Sequence, residues 1–267
     1  MTSWGYCSHN GPSTWPDNFP KAGGKRQSPI DIKPAQAKKD DDLAKNPLEM
    51  THCAASAGTF TNTGASVMLP YKFEGSSLKG GPLTENYQLA QFHFHWGKCN
   101  ETGSEHTVDG KMFAAEVHLV HVNTDKYKTI EEAVAQPDGL CVLGAFLKPG
   151  KEHAGLKKLQ DMFKDIKNKG KTTTAGEYDP SCLLPENKTN YWTYLGSLTT
   201  PPCFECVTWI VFQEPIEVSE EQLAAFRALQ TFEEGAEPAA DDELKGQMIE
   251  NYRPPLELGD RVLRASF

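Results

Sequence analysis

The chain has 267 residues and a mass of 29.5 kDa, with 38% hydrophobic residues, a mean hydropathy of −0.53, a net charge of −9 and a pI near 5.4. Its short basic runs, Lys38-Lys39 and 164–171, are interleaved with acids, which disfavours a nucleic-acid partner. No apolar run reaches the length of a membrane span, and the start Met-Thr-Ser-Trp-Gly-Tyr lacks the pattern of an export leader, so neither membrane insertion nor a signal peptide is expected.

Residues 1–28 are rich in aromatics, Gly and Pro and read as irregular chain wrapped on a surface. Short apolar or alternating runs bounded by turn residues then predict strands at 87–96, 111–123, 140–147, 191–197 and 206–212. Helical spacing is clearest at 156–166 and 220–230. The second opens on Ser219-Glu-Glu-Gln222, a capping box in which Ser caps and Gln reaches back. With no repeat and no linker, the pattern predicts one domain over 1–267, strand-dominated with peripheral helices.

The cysteines are Cys7, Cys53, Cys99, Cys141, Cys182, Cys203 and Cys206. An odd number without a leader points to a reducing compartment. Cys203-Phe-Glu-Cys206 has C-x-x-C form but no second pair, and is read as two ordinary thiols on opposite faces of a strand. The sequons Asn100-Glu-Thr and Asn187-Lys-Thr favour the secretory alternative.

The sharpest motif is Gln91-Phe-His93-Phe-His95-Trp. A strand repeats every two residues, so Gln91, His93 and His95 share one face while Phe92, Phe94 and Trp96 share the other. Imidazoles at i and i+2 lie roughly 6.5–7 Å apart at the backbone, close enough to converge on one ion. Glu116-Val-His118-Leu-Val120 repeats the logic, with an acceptor two residues before a histidine on the same face. Such acceptors fix the tautomer of a ligating imidazole. Three neutral histidines leave a fourth coordination position open, as catalytic zinc sites do. Isolated histidines such as His52 and His153 are read as structural.

The chain resembles the α-class carbonic anhydrases, and is most similar to the cytosolic animal enzymes. The resemblance spans nearly the whole length. It rests on Trp4-Gly-Tyr-Cys-Ser-His-Asn-Gly-Pro12, Gln27-Ser-Pro-Ile-Asp-Ile32, 91–97, Ser104-Glu-His-Thr-Val-Asp-Gly110, 114–121, Pro137-Asp-Gly-Leu-Cys-Val-Leu-Gly144, 191–212 and Asn251-Tyr-Arg-Pro254. It implies a mainly β (α+β) single domain around a ten-stranded, twisted, mostly antiparallel central sheet. It also implies reversible hydration of carbon dioxide to bicarbonate and a proton by zinc-hydroxide attack.

On matching positions, the resemblance makes His93, His95 and His118 the Zn2+ ligands. Gln91, Glu116 and the Asn251 carbonyl become their partners. Thr199 would donate its single proton to Glu105, leaving only lone pairs for the nucleophile. Val120, Val142, Leu198, Thr200, Val207 and Trp209 would line the substrate pocket, and Tyr6, Thr63 and Met68 the solvent network. Sulfonamides and small anions are the implied inhibitors, pH regulation the implied general role, and water or buffer the proton acceptor. A cytoplasmic monomer is expected. Secreted relatives tie the Cys203 position to a cysteine near position 22, where this chain has Ala22.

One departure bears on rate. An acid of pKa about 7, the value known for the zinc water of carbonic anhydrases themselves, loses its proton to water at only about 10²–10³ s⁻¹. Turnover near 10⁶ s⁻¹, again the family's own benchmark, therefore needs a shuttle. Fast members use a histidine where this chain has Ala65, and no histidine occurs between His52 and His93. Proton export is thus expected to be limiting, with His9 at the rim as a substitute if it is not. The competing readings are a non-enzymatic relative that has lost a ligand and a secreted matrix protein. The intact ligands argue against the first, and the lack of a leader or acidic repeat against the second.

Overall fold

A computed structural model describes residues 4–267 except 53, 54, 57, 73 and 74, with backbone alone at 55 and 56. Cys53 therefore lies outside the described residues. Ten strands form the path of one large twisted sheet. In chain order they are β1 (Lys38–Lys39), β2 (Thr59–Asn62), β3 (Val67–Pro70), β4 (Tyr87–Trp96), β5 (Ala115–Asn123), β6 (Leu140–Pro149), β7 (Thr172–Thr174), β8 (Tyr191–Gly196), β9 (Val207–Phe212) and β10 (Arg264–Ala265). Across the sheet they run β7-β2-β3-β4-β5-β6-β9-β8-β10-β1, and three more strands pair at its margins. Pairing is mostly antiparallel, with parallel joins at β6–β9 and β10–β1.

The central strands are long and apolar because both faces are covered. Every residue of β5 is buried. On one face Phe92, Phe94 and Trp96 of β4 pack with Val117, Leu119, Leu143 and Ile210. The helix Glu220–Arg227 seals this face, with the Phe226 ring tilted against Trp96 at 4.8 Å and against Phe94 at 5.1 Å. The other face carries Val120, Val142, Val211 and Trp209. That side stays partly open, and the site lies there.

The predicted strands form with small changes at their ends. The segment from 111 enters the sheet only at Ala115, β6 runs on to Pro149, and β9 starts at Val207. Cys203 and Cys206 are not on a strand, contrary to expectation. Cys203 sits in a left-handed turn at φ 58, and its carbonyl accepts from Gln27 Nε2 at 3.0 Å. Both thiols are buried and free. Cys203 packs with Ala22 and Trp15 in a small apolar cluster. The expected helix 156–166 is an α-helix Ala154–Gln160 followed by a 3₁₀ turn Phe163–Ile166. The capping box at Ser219 forms with both of its bonds.

Candidate active site

Sheet register brings the histidines together. His118 on β5 stands opposite His93 on β4, and Glu116 opposite His95. Directly opposed side chains start about 4.5–5.5 Å apart, so three imidazoles on one face must converge. Their candidate ligand atoms all lie within 4.8 Å of one another. Opposite His118 on β6 is Gly144, where an added Cβ would stand 3.2 Å from Glu116 Oε1. Glycine there leaves room for the carboxylate that holds His118.

Each imidazole has one nitrogen engaged. His93 Nδ1 donates to Gln91 Oε1 at 2.8 Å, His95 Nδ1 to the Asn251 carbonyl at 2.7 Å, and His118 Nε2 to Glu116 Oε1 at 2.7 Å. These acceptors leave Nε2, Nε2 and Nδ1, in that order, as the nitrogens with free lone pairs. Burial and the neighbouring imidazoles hold His93 well below its ordinary pKa, and burial with the adjacent His118 takes His95 down to about 3. Burial also lowers His118, against the pull of Glu116. Neutral rings are what a metal requires. His95 Nε2 is buried with no hydrogen-bond partner, an unfilled valence that a cation would satisfy. The donor set fits Zn2+ with one position left open.

Glu116 is the most heavily bonded group in the site. Oε1 also accepts from His106 Nδ1 at 2.8 Å, and Oε2 accepts from the amides of Glu105 and His106, each at 2.9 Å. Burial opposes its charge, but His106 and His118 hold it well below the usual carboxylate range. His106 continues to Tyr194 Oη at 2.7 Å, and Tyr194 meets Ser28 Oγ at 2.9 Å. Sequence reasoning did not single out His106. The signal available was its place beside Glu105 in the quoted 104–110 segment.

Glu105 is fully buried. Its Oε1 accepts from the Arg253 amide at 2.8 Å. Its Oε2 meets no donor at hydrogen-bonding geometry and faces His95 Nε2 at 3.4 Å. Burial pushes this carboxyl well above the ordinary range, while the Thr199 side chain and the Arg253 amide pull it back. Arg253 is anchored by Gln27, Ser28 and Ala22.

A cavity of about 190 Å³ opens beside His93 and His118. Val120, Val142, Leu198, Thr200 and Trp209 line it, with Gln91 and Thr199. Ile130, Val134 and Leu140 complete an apolar wall that sequence reasoning missed, because apolar residues in a strand or short helix read as core. Val207 is fully buried and is not part of this wall.

Sequence comparison decides the family. A family profile for eukaryotic-type carbonic anhydrases matches residues 10–267. The chain belongs to that family. It is 46% identical to carbonic anhydrase 1 of Mus musculus over 266 residues, covering 99% of this chain and 98% of the relative. It is 47% identical to carbonic anhydrase 7 of Homo sapiens (99% and 97% covered) and 44% identical to human carbonic anhydrase 3 (99% and 98% covered). The chain is thus an enzyme of the carbonic anhydrase class, whose reaction is carbon dioxide hydration.

Of the expected solvent-network residues, Tyr6 and Thr63 lie on a second, larger cavity of about 820 Å³, which Ala65 and Asn251 also line. Ala65 presents no ionisable group, and its carbonyl accepts from Asn251 Nδ2 at 2.8 Å. Thr63 turns its hydroxyl inward on its own turn. Oγ1 donates to the Ser66 carbonyl at 3.0 Å and accepts from the amides of Ala65 and Ser66. The Tyr6 hydroxyl is buried without a hydrogen-bond partner. Met68 pairs in register with His93 and lines neither cavity. Among the described residues, no helix is long and apolar enough to cross a membrane.

Proposed function

We propose that the chain hydrates carbon dioxide reversibly with Zn2+ held by His93 Nε2, His95 Nε2 and His118 Nδ1. The observation that carries this reading is the convergence of three neutral imidazoles whose other nitrogens are all engaged. Zn2+ bound there supplies the Lewis acidity that makes hydroxide available near neutral pH, as established for carbonic anhydrases themselves.

This chain's residues do the rest. Glu116, Gln91 and the Asn251 carbonyl keep each imidazole in one tautomer. Thr199 acts through direction: a hydroxyl carries one proton, and donating it to Glu105 leaves only lone pairs toward the cavity. A nucleophile beside Thr199 must then bring its own proton, which selects and orients hydroxide. The wall of Val120, Val142, Leu198 and Trp209 offers no hydrogen bond, so it suits apolar carbon dioxide better than charged bicarbonate.

The proton leaves by a route that Ala65 does not serve, so turnover is limited by export to water or buffer. Sulfonamides and small anions inhibit at the open position, and the protein works as a cytoplasmic monomer. The free buried Cys203 beside Ala22 supports that compartment. Stopped-flow hydration with and without chelator tests the reading. Activity should vanish on chelation and return with Zn2+; activity indifferent to metal content would sink it.

A further inference from the structure

The N-terminal segment meets the 241–243 segment at a second cluster of metal-ligating side chains. Cys7 Sγ, a His9 ring nitrogen and a Glu243 carboxylate oxygen all lie within 4.8 Å of one another. Asp242 Oδ1 is 3.2 Å from Cys7 Sγ, and Asp241 Oδ2 is 3.6 Å from His9 Nε2. Among the described residues that line the larger cavity, His9 is the sole histidine, and Cys7 and Asp242 share its wall with Ala65.

The carboxylates are held in place. Glu243 accepts from the Ser8 amide at 2.6 Å and the Ser8 hydroxyl at 3.1 Å. Asp242 accepts from the amides of Leu244 and Gly246 at 2.9 and 2.8 Å. The Cys7 amide is tied to Asn10 Oδ1 at 3.2 Å. Two segments distant in sequence therefore present sulfur, imidazole and carboxylate to a common point. Pre-positioned donors bind an ion without reorganising. Burial with the carboxylates of Asp242 and Glu243 pushes the Cys7 thiol up to about 12. A cation would neutralise that crowding of negative charge.

We infer that Cys7, His9 and Glu243, with Asp242 as fourth donor, form a second divalent-metal site separate from the His93 centre. A sulfur–nitrogen–oxygen set selects a borderline or soft ion of the Zn2+ and Cd2+ type over Mg2+ or Ca2+. Binding forms a metal–sulfur bond as the Cys7 S–H bond breaks, and the proton passes to buffer. An ion there engages His9 and removes an imidazole from the wall on which Ala65 sits.

The test titrates zinc-loaded enzyme with Cd2+ near pH 8, by calorimetry and near-ultraviolet absorbance. Only a thiolate gives the sulfur-to-cadmium charge-transfer band, so exchange at the histidine centre is silent in this readout. One Cd2+ per chain should bind with that band and with proton release. Cys7→Ser should abolish the band, and Glu243→Gln should weaken binding by about tenfold or more. Both variants should keep carbon dioxide hydration before Cd2+ is added, which shows that they fold. No band, or one that persists in Cys7→Ser, overturns the inference.

Discussion

The histidine centre and the rim that Ala65 occupies are built from different material. His93, His95 and His118 stand on β4 and β5, paired strands near the middle of the sheet, and every acceptor that orients them is buried or half-buried. Ala65, Thr63 and His9 lie on turns. Gly64 holds φ 86 to form the first of these turns, a conformation glycine adopts without steric penalty. A strand face fixes side chains to within the tolerance that coordination requires. A turn tolerates substitution, because what it offers the cavity is one side chain rather than a register. On the proposed reading, the metal geometry would rest on the sheet, whereas the proton's exit would depend on side chains carried by turns.

That contrast can be broken most sharply at its centre. His118→Ala should lose zinc and hydration together, by more than the about 10–100-fold that removal of an outer partner costs. Metal content by emission spectrometry, beside unchanged far-ultraviolet circular dichroism, checks it. Full zinc occupancy in the variant would mean that the sheet face is not what holds the ion.

Thr199→Ala should come next, lowering hydration by about 10²–10³-fold with zinc still bound. A variant that instead releases zinc would place Thr199 in metal retention rather than orientation.

At the rim, Ala65→His should raise turnover by about tenfold or more in dilute buffer and change little in concentrated imidazole-type buffer. A parent enzyme already fast and indifferent to buffer would show that another group exports the proton.

The smallest effect concerns the sheet's opposite face, where β5 places His121 opposite Cys141 and 2.8 Å from His52 Nε2. Burial holds both imidazoles below their ordinary value. A depressed histidine favours the folded state fully above the unfolded pKa of about 6.5, and that contribution falls as pH drops below it. The thermal stability of the parent should therefore fall below about pH 6.5, and more steeply than that of His121→Leu. Equal slopes would remove this pair from the acid response.

Some of this was legible in one dimension. Period-two alternation around Gln91-Phe-His93-Phe-His95 placed the ligands on one face, and Glu116-Val-His118 repeated the device, because strand geometry is local. The strand expected from 111 begins in the structure at Ala115, since Met112, Phe113 and Ala114 are apolar whether or not they pair. His106 was passed over because its value lies in Glu116 and Tyr194, and the second of these is 88 residues away.

The sequence by itself therefore determined which residues can hold a metal, which face they share, and that no histidine stands at position 65. Tertiary structure alone decided that His106 meets Tyr194 across 88 residues, that Ile130 and Val134 close the apolar wall, and that Thr63 turns its hydroxyl back on its own turn. The physical reason is range. Side-chain direction along a strand follows from two neighbouring residues, whereas a hydrogen bond or a cavity wall between distant segments exists only once the whole sheet has closed around it.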